Sequence, residues 1–508
     1  MPDFITLDAL VRNTVASNPA KTAIIDDQSS LTYAEFDALI DRVAAALQAE
    51  GLQPRDVISI SAYSTIQYAA TFLGALRAGV AVAPLAPSST PNDFAAMLRD
   101  CAPKILFMDG TAAALMGEAV NGVDKRVALD DSDFGVAFSA WTAAASATPA
   151  PVAVDPEWVF NIIYSSGTTG TPKGIVHTHG MRWRQYGQLD PLGYGPDAVT
   201  VLSTPLYSNT TLVCFNPTFA GGGTVVLMKK FDARGLLELS EKHRATHAML
   251  VPVQYRRIMN VPDFDSFDLS SYVMKFSTSA PFAAVLKADI LKRWPGGLTE
   301  YYGMTEGGGT CHLLAHEHPD KLHTVGQPAP GHEIRLLDED GKEVAPGEIG
   351  EVYGHSPVIM QGYLNQAGKT AETFWHDATG KRFVRTGDVG RFDEDGFLTL
   401  MDRKKDMIIS GGFNIYPSDL EAVLVGHEDV LEAAVVAMPS EEWGETPVGF
   451  VVLKPGAAVD AATLKAWLNS RIGKFQRVAE IVFADTLPRS AIGKVLKREL
   501  RDSRLAAG

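Results

Sequence analysis

Short apolar runs alternate with segments of helical periodicity over the N-terminal part of the chain. The runs include VISISA, VAVAPL, VFNIIYSS and HAMLVP, each of which has the length of one buried strand. Helical patterns lie between them, such as the one that starts at Thr32, where Thr32 and Glu35 form a capping box and Gly51 marks the end. Strands that alternate with helices in this way predict a mostly parallel sheet with helices on both faces.

The pattern changes near Val325 and again near Arg403. Short strands with glycine-rich turns follow Val325, and the segment RFDEDGFLTLMDR places Asp-Gly at a hairpin turn. After Arg403 the helix and strand patterns return. We therefore predict an α/β fold with a large N-terminal domain, residues 1–402, of parallel-type βα layers, followed by a small α+β domain, residues 403–508. Within the first domain, residues 325–402 are expected to form a small β-barrel-like subdomain.

Composition narrows the class of protein without changing this picture. The chain has 508 residues, of which 46% are apolar and 21% charged, as in ordinary soluble globular proteins. Lys and Arg number 45 against 60 Asp and Glu, and the resulting net charge of −15 disfavours binding to nucleic acid. Cys101, Cys214 and Cys311 lack CxxC spacing, so we expect neither a disulfide framework nor a zinc cluster.

Signals for targeting are sparse. The start, MPDFITLDALV, has no basic region before its apolar residues, and no apolar run approaches the roughly 18 residues of a membrane-spanning helix. We expect a cytoplasmic protein without integral membrane association. The oligomeric state stays open at this point, a homodimer included.

The strongest candidate for chemistry is the loop Tyr164–Gly174, YSSGTTGTPKG, which follows the predicted strand FNII directly. Its glycines let the backbone approach an anion closely, its hydroxyls and amides can donate hydrogen bonds, and Lys173 adds positive charge. We interpret it as a cradle for a polyphosphate, with a flexible Ser/Gly surface loop as the alternative. The Walker pattern GxxxxGKS/T is absent, so the P-loop NTPase interpretation loses its main support.

This loop resembles the phosphate-binding signature of the acyl-adenylate-forming superfamily, which contains acyl-CoA synthetases, peptide-synthetase adenylation domains and beetle luciferases. Four further motifs occur in the order and spacing of that family, so the resemblance covers essentially the whole chain. They are YYGMTE at Tyr301–Glu306, TGD at Thr386–Asp388, DRKKDMIISGGFNIYP at Asp402–Pro417 and PRSAIGK at Pro488–Lys494. Five ordered motifs are more specific than any one of them.

The resemblance implies a binding site for ATP and Mg²⁺. Tyr302 would stack on the adenine, Thr305 would donate to the α-phosphate, and Glu306 would bind the metal. Asp388 would accept hydrogen bonds from the ribose hydroxyls. The implied nucleotide-binding residues are Ser165, Ser166, Gly167, Thr168, Thr169, Gly170, Lys173, Ser279, Ala280, Pro281, Tyr301, Tyr302, Gly303, Met304, Thr305, Asp388, Arg403 and Lys494, with Thr168 as a second metal ligand.

The resemblance also implies a catalytic lysine and a coenzyme A site in the C-terminal domain. The lysine that matches Lys494 binds the carboxylate and the charge that develops at the α-phosphate, and it acts with Lys173, Thr305 and Glu306. Lys405 matches the hinge about which this small mobile domain rotates to form the thioester-forming site. The residues implied for coenzyme A are Lys405, Gly411, Gly412, Trp443 and Arg477.

The pocket for the acid is implied by segments that meet in the family. Ser208 stands where many relatives carry a histidine or an aromatic residue, and its hydroxyl either binds a polar group of the acid or caps the next helix. Trp183 is either an aromatic wall or a core residue. No arginine is placed for a second carboxylate, which disfavours a dicarboxylic acid. The candidate pocket residues are Trp183, Tyr207, Ser208, Thr210, Ser277, Gly303, Gly307 and Gly308.

The implied function is that of an AMP-forming acid–CoA ligase, which joins a small carboxylic acid to coenzyme A through an acyl-adenylate, with ATP and Mg²⁺. An aromatic or phenylpropanoid acid is the first choice, and a medium-chain or branched aliphatic acid is the second. An acyl-AMP ligase that loads a carrier protein and a luciferase-like oxygenase are alternatives. An inactive binding protein is disfavoured because Lys173, Glu306, Asp388 and Lys494 are all present.

Overall fold

The computed structural model describes residues 3–145, 148–165, 172–187, 192–403, 405–411, 413–489 and 494–507, and for residues 402, 403, 475 and 507 it describes the backbone alone. The chain divides into two compact units. Unit 1 comprises Met1–His323, Pro328–Glu333 and His355–Val384, and unit 2 comprises Thr324–Gln327, Ile334–Gly354 and Arg385–Gly508.

Helices and strands alternate through most of the chain, as the periodicity predicts. The helices are α1 (Leu7–Ser17), α2 (Tyr33–Ala49), α3 (Ile66–Arg77), α4 (Pro91–Cys101), α5 (Gly110–Met116), α6 (Phe138–Ala143), α7 (His179–Tyr186), α8 (Asn209–Ala220), α9 (Ala233–His243), α10 (Pro252–Met259), α11 (Ala284–Arg293), α12 (Ala367–Thr373), α13 (Pro417–Val425), α14 (Ala461–Asn469) and α15 (Lys497–Ala507). Short 3₁₀ helices cover Gly117–Val120, Phe264–Ser266 and Lys474–Gln476.

The strands are mostly short, as is usual for α/β proteins. They are β1 (Thr22–Ile25), β2 (Ser30–Thr32), β3 (Val57–Ser61), β4 (Ala81–Pro84), β5 (Ile105–Met108), β6 (Arg126–Ala128), β7 (Val136–Ala137), β8 (Val159–Ser165), β9 (Lys173–Thr178), β10 (Val199–Leu202), β11 (Thr224–Leu227), β12 (His247–Leu250), β13 (Met274–Ser277), β14 (Gly297–Met304), β15 (Gly307–Leu314), β16 (Gln327–Pro328), β17 (Glu333–Leu337), β18 (Gly350–His355), β19 (Gly362–Tyr363), β20 (Phe374–His376), β21 (Arg382–Phe392), β22 (Leu398–Arg403), β23 (Ile408–Ser410), β24 (Phe413–Ile415), β25 (Val430–Ser440), β26 (Gly444–Leu453) and β27 (Glu480–Phe483).

Two large sheets form the framework of unit 1. One has nine strands in the order β16-β15-β14-β13-β12-β10-β11-β1-β2, and the other has eight in the order β19-β9-β8-β4-β3-β5-β6-β7. Their central strands pair in parallel, whereas β14 with β15 and β8 with β9 form antiparallel pairs. These two antiparallel pairs carry motifs, because the serine- and glycine-rich loop joins β8 to β9 and the YYGMTE motif ends β14.

Helices α3 and α8 join the cores of the two sheets. Phe72 of α3 packs edge to face against Phe160 of β8, with ring centroids 5.8 Å apart, and against Phe215 of α8 at 6.3 Å. Strands β4 and β5 are buried along their whole length, as expected for strands covered on both faces. The predicted capping box is present: the Thr32 hydroxyl accepts from the Glu35 amide, and the Glu35 carboxylate accepts from the Thr32 amide.

Unit 2 holds two smaller sheets. In the first, β18 lies between β17 and β21, and β22 pairs with β21 in antiparallel register. The second has the order β24-β23-β26-β25, and β27 pairs in parallel with β26. Neighbouring residues of β25 face opposite sides, since Val435 packs with α13 and α14 whereas Val436 packs with Leu500 of α15. Helices therefore cover both faces of the second sheet.

The predicted fold class is confirmed, because parallel βα layers form the large N-terminal part and a compact α+β arrangement forms the C-terminal part. The compact units group Ile334–Gly354 and Arg385–Gly508 together, whereas the sequence assigned residues 325–402 to the N-terminal domain. The domain boundary at residue 402 stays a prediction. Across the described residues, no helix is both long enough and apolar enough to cross a membrane.

Candidate active site

The YYGMTE motif ends β14 and leads into β15 through a tight turn. Thr305 and Glu306 form this turn, called the Thr305–Glu306 turn below. The next residue, Gly307, has φ +82°, and a Cβ atom added there would lie 2.2 Å from the carbonyl oxygen of Val358. Such a close approach at positive φ requires glycine. A side chain at position 307 would therefore push the backbone after Glu306 away from Val358.

The Glu306 carboxylate is held by a tyrosine from another strand. The Tyr363 hydroxyl of β19 donates to Glu306 Oε1 at 2.8 Å, and the Met360 amide donates to the Glu306 carbonyl oxygen at 2.9 Å. Burial, followed by the charge and hydrogen bond of Glu306, raises the pKa of Tyr363, which therefore stays a donor. Both contacts fix the direction in which Glu306 points.

The chemistry of Glu306 fits a magnesium ligand. Carboxylate oxygens are the hard ligands that Mg²⁺ prefers, and the ion commonly takes one or two of them together with substrate phosphates. Tyr363 uses one oxygen of the Glu306 carboxylate, and no donor among the described residues bonds to the other. The described residues contain no group of three or more His, Cys, Asp or Glu side chains that could hold a metal ion. Glu306 would therefore bind the metal together with the phosphates.

The two ends of the loop after β8 face each other, and the second end lies beside Tyr363. Ser165 and Lys173 face each other across the β8–β9 pair, and the Lys173 ammonium lies 5.0 Å from the centroid of the Tyr363 ring. A cation over an aromatic face is attracted to it. Lys173 and Glu306 therefore share Tyr363 as a neighbour. The predicted loop residues Ser166, Gly167, Thr168, Thr169 and Gly170 lie outside the described residues.

Two side chains that hold the Thr305–Glu306 turn were missed by sequence reasoning. One is Tyr363, and the other is His177 of β9, whose Nε2 lies 2.7 Å from the carbonyl oxygen of Thr305. The pairs are 57 and 128 residues apart in the chain. Local periodicity carries no signal for partners at such separation, although His177 lies three residues after the loop that the sequence singled out.

The two tyrosines of the motif have different surroundings. Tyr301 stacks on Phe276, with centroids 5.6 Å apart, and meets His312 edge to face at 4.7 Å. Tyr302 is the next residue on the strand and is 9% exposed. Tyr301 therefore belongs to the aromatic core, and the adenine contact of Tyr302 stays a prediction. Gly303 is exposed, and Met304 is half-buried at the end of β14.

Three of the predicted pocket segments meet in unit 1. The Ser279 hydroxyl lies 2.8 Å from the hydroxyl of Thr210 at the start of α8, and the Thr278 hydroxyl donates to the Tyr301 carbonyl oxygen at 2.8 Å. Ser279 has φ +80°, which is uncommon for a residue with a side chain. Ser277 is fully buried, and its hydroxyl has no hydrogen-bond partner in the described part of the chain. Ala280 and Pro281 continue this turn before α11.

Of the two roles left open for Ser208, the structure shows the helix cap. Its hydroxyl accepts from the Thr210 amide at 3.3 Å, at the N-terminus of α8. Trp183 meets Tyr186 edge to face at 5.7 Å and packs, partly buried, against the main core. Tyr207 is half-buried, and burial raises the pKa of its hydroxyl. Gly308, the last predicted pocket residue, is buried with φ +83°, and contact of any of these residues with the acid stays a prediction.

The predicted ribose ligands lie in unit 2. Asp388 of β21 and Arg403 of β22 face each other in the antiparallel pair. The Asp388 amide donates to the Thr386 hydroxyl at 3.0 Å, which orders the TGD turn. The side chain of Arg403 lies outside the described residues. Lys405, the predicted hinge residue, lies two residues after the end of β22.

Lys494 follows a loop near the C-terminus. An isolated bridge joins Arg489 and Val495 on the two sides of this loop. The side chain of Lys494 is half-buried, and residues 490–493 lie outside the described residues. Lys494 therefore lies next to Val495, one of the two residues joined by this bridge.

Two of the residues predicted for coenzyme A, Gly411 and Trp443, contact each other in unit 2. The Gly411 amide donates to the Trp443 carbonyl oxygen at 2.8 Å, and a Cβ atom at Gly411 would lie 2.8 Å from the Trp443 ring. Trp443 is 46% exposed, so its ring is accessible although it covers the glycine. Arg477 is exposed, and Gly412 lies outside the described residues.

Two family models match the chain. Residues 11–364 match the model described as AMP-binding enzyme, and residues 419–494 match the AMP-binding enzyme C-terminal domain. The chain is 33% identical over 498 residues to an indoleacetate–CoA ligase of Aromatoleum aromaticum, covering 95% of each protein. It is 31% identical over 509 residues to the fatty acid–acyl-carrier-protein ligase ScoC of Streptomyces coeruleorubidus, covering 98% of this chain and 96% of ScoC.

A solved structure agrees with these matches. ATP-bound MatB from Rhodopseudomonas palustris superposes with a TM-score of 0.87 at 29% identity, covering 98% of this chain and 99% of that one. Together with the family models, this similarity confirms the resemblance inferred from the five motifs. The chain belongs to the AMP-binding enzyme family, and thus to the acyl-adenylate-forming superfamily.

Proposed function

We propose that this protein is an AMP-forming acid–CoA ligase that activates an aromatic or phenylpropanoid carboxylic acid. Membership of the AMP-binding family supports the class of reaction. The observation that carries the proposal is the arrangement around Tyr363, where Glu306 accepts from the hydroxyl and Lys173 lies over the ring. It holds an anionic metal ligand and a cation beside the end of the predicted phosphate loop.

The reaction has two steps. In the first, a carboxylate oxygen of the acid attacks the α-phosphorus of ATP, a P–O bond forms, and the bond to pyrophosphate breaks. The product is an acyl-AMP, in which AMP is a much better leaving group than the oxygen of a free carboxylate. In the second step the thiol of coenzyme A releases its proton to solvent, its sulfur attacks the acyl carbonyl, and AMP leaves with the bonding electrons.

The charges at the phosphate end of the site suit the first step. Lys173 would stabilise phosphate oxygens, and the Thr305 hydroxyl would donate to the α-phosphate. Tyr363 orients the Glu306 carboxylate for the metal, and bound Mg²⁺ would neutralise charge on the phosphates. Lys494 would add positive charge where the transition state becomes more negative than the substrates, which accelerates the step rather than tightening ground-state binding.

Relatives and the pocket favour an aromatic acid. Indoleacetate–CoA ligase, at 33% identity, is named for an aromatic acid. The convergence of Thr210, Ser279 and Tyr301 supports a pocket beside β14, and the exposed Gly303 leaves space at its edge. A second candidate is an aliphatic acyl-AMP ligase that loads a carrier protein, which the 31% identity to ScoC favours. A cytoplasmic location stays a prediction, and a homodimer stays open.

One panel experiment separates these candidates. Pyrophosphate release with ATP and Mg²⁺ is measured across aryl, phenylpropanoid, short, medium-chain and branched acids, each with and without coenzyme A. We expect the highest kcat/KM with an aryl or phenylpropanoid acid and multiple turnovers only when coenzyme A is present. A preference for aliphatic acids would refute the acid class, and turnover that ignores coenzyme A but needs a carrier protein would establish the second candidate.

The role of Lys494 is testable by separating the two half-reactions. We expect Lys494→Ala to lower acid-dependent pyrophosphate release by about 100-fold or more, because it removes a charge aimed at the transition state. Thioester formation from supplied acyl-AMP should stay within about fivefold of wild type. Arg498→Ala is a matched control, since Arg498 is a cation of the same segment whose side chain is 72% exposed. Wild-type rates of pyrophosphate release in Lys494→Ala would refute the assignment.

A further inference from the structure

Helix α7 buries an arginine that has neutral partners. Arg182 is 0% exposed. Its Nε donates to Asn161 Oδ1 at 2.9 Å, one terminal nitrogen donates to Gln185 Oε1 at 2.8 Å, and the other donates to His177 Nδ1 at 2.8 Å. Among the described residues, no carboxylate forms an ion pair with it. Burial without a counter-charge is costly, so the retention of a guanidinium here points to a use for it.

The charge of this arginine survives its burial. Desolvation lowers the pKa of Arg182 to about 9, which still leaves the side chain protonated near neutral pH. The ring of Phe160, 5.9 Å from the guanidinium carbon, offers further weak compensation. The three hydrogen-bond acceptors satisfy donors of the group but do not cancel its charge. A positive field therefore persists at the buried face of β9.

Arg182 selects one tautomer of His177. A guanidinium can only donate, so His177 Nδ1 must be the acceptor of its hydrogen bond. The Asn161 amide nitrogen lies 3.3 Å from the same Nδ1 and also donates to it. The proton of the neutral ring is then on Nε2, which donates to the Thr305 carbonyl oxygen at 2.7 Å. Burial and the charge of Arg182 lower the pKa of His177 well below its ordinary value, so this tautomer persists.

The Thr305–Glu306 turn is thus held from two strands. His177 of β9 donates to Thr305 on one side, and Tyr363 of β19 donates to Glu306 on the other. The Met360 amide adds a bond to the Glu306 carbonyl oxygen. β9 is also the strand that begins with Lys173, so it connects the phosphate loop to this turn. Movement of either side chain would alter the turn as a whole.

We propose that Arg182 and His177 form a positioning pair that orders the Thr305–Glu306 turn and places an uncancelled positive charge behind the site of the phosphate groups. Neither residue is assigned a contact with substrate, so both are positioning residues. The inference deepens the proposed function and rests on it, because Thr305 and Glu306 are assigned there to ATP and its metal. It adds two residues from outside the five motifs to the apparatus for adenylation.

A matched pair of variants at His177 tests the inference. Leucine removes the donor to Thr305, whereas glutamine offers an amide oxygen to Arg182 and an amide hydrogen to Thr305. We expect His177→Leu to lower kcat for acid-dependent pyrophosphate release by about tenfold, or about 1.4 kcal/mol, with KM for the acid within about twofold. His177→Gln should recover kcat to within about threefold of wild type.

Hydrogen exchange supplies a readout that does not need turnover. Amides in the peptide of residues 301–310 should exchange faster in His177→Leu than in wild type or His177→Gln. The control is Tyr33→Phe, which removes another buried hydrogen bond of unit 1, from the Tyr33 hydroxyl to the Gly223 carbonyl oxygen at 2.7 Å. It should lower the melting temperature and leave both kcat and this exchange unchanged.

Defined results would overturn the inference. Equal kcat and equal exchange in His177→Leu and His177→Gln would show that the donor to Thr305 is not what matters. The same loss of kcat in Tyr33→Phe would show that His177 acts only through overall stability. If the wild-type protein released no pyrophosphate with any acid of the panel, the proposed function would be refuted instead. The comparison of hydrogen exchange would still decide whether His177 orders the turn.

Discussion

Unit 1 buries two arginines in opposite ways. The side chain of Arg77, at the end of α3, is 3% exposed and pairs with Asp8, Asp37 and Asp41 at 2.6, 2.5 and 2.8 Å. Arg182, on α7, is as deeply buried and bonds to two amide oxygens and an imidazole nitrogen. Carboxylates neutralise the charge of Arg77. The partners of Arg182 are neutral, and we infer that its charge acts on the Thr305–Glu306 turn.

This difference teaches how to interpret a buried charge. A guanidinium surrounded by carboxylates closes a structural cluster, and its removal leaves like charges facing one another. A guanidinium surrounded by neutral acceptors makes no such cluster, and its removal leaves only unpaired acceptors. Replacing Arg77 should therefore mainly lower the free energy of unfolding, and replacing Arg182 should mainly lower kcat. Substitution of each arginine tests this contrast.

The largest effect is expected from Arg77→Met. The substitution leaves Asp8, Asp37 and Asp41 facing one another with much of their neutralising charge removed, and we expect the free energy of unfolding to fall by about 3 kcal/mol or more. Urea denaturation of the full chain measures the change. The folded fraction should keep its kcat, because the proposed mechanism assigns no step to this cluster. A loss below about 1 kcal/mol would mean that the carboxylates do not depend on Arg77.

Arg182→Met should show the reverse pattern. We expect kcat for pyrophosphate release to fall by about tenfold, since the buried charge and the selection of the His177 tautomer are lost together. Stability should change by less than about 2 kcal/mol, because an apolar side chain of similar length replaces an uncompensated charge. The measurement is kcat per folded enzyme, with urea denaturation of the same preparation.

The contrast itself would fail under a different result. If Arg182→Met lost as much stability as Arg77→Met while kcat per folded enzyme stayed at the wild-type value, both arginines would be structural. A tenfold loss of kcat per folded enzyme in Arg77→Met would show that Arg77 also affects activity. The first outcome would also remove the reason for assigning His177 to the turn through Arg182.

Local sequence patterns predicted those parts of the molecule that depend on neighbours in the chain. The Thr32–Glu35 capping box and the alternating strands and helices are present, since both arise within one or two turns of chain. The cap at Ser208 was one of two roles inferred from its position before a helix. Glu306, which the resemblance assigned to the metal, lies in the turn between β14 and β15, and its role in metal binding stays a prediction.

Long-range partners escaped the same reasoning. His177 and Thr305 are 128 residues apart, and nothing in the pattern around either residue identifies the other. Whether Trp183 is a core residue or a pocket wall likewise depends on the packing of a whole layer, which periodicity cannot resolve. The stretch HTHGMRWRQY contains both Arg182 and Arg184, and only the first is buried. The burial of Arg182, and with it the contact to His177, depends on packing that the sequence pattern does not reveal.

A histidine on the helix of Arg182 that shares a cavity with Arg77 offers the test with the smallest expected effect. His179 begins α7, three residues before Arg182, and lines a cavity of about 40 Å³ together with Arg77 and Asp8. It is buried, and neither ring nitrogen has a hydrogen-bond partner in the described part of the chain. Burial lowers the pKa of His179 to about 4. The ring is therefore neutral in the folded protein and gains a proton on unfolding below about pH 6.5.

The sign of the resulting pH dependence follows from this uptake. Between about pH 6.5 and 4 the unfolded chain binds the proton and the folded chain does not, so stability present above pH 6.5 is lost as the pH falls. One such histidine contributes at most about 1.4 kcal/mol per pH unit. His179→Leu should flatten the slope of unfolding free energy between pH 7 and 5 by up to this amount, with little loss at pH 7 because no hydrogen bond is removed. Equal slopes in urea denaturation of the two proteins would show that His179 is protonated in the folded state beside Asp8, and the cavity would then belong to the charged cluster of Arg77.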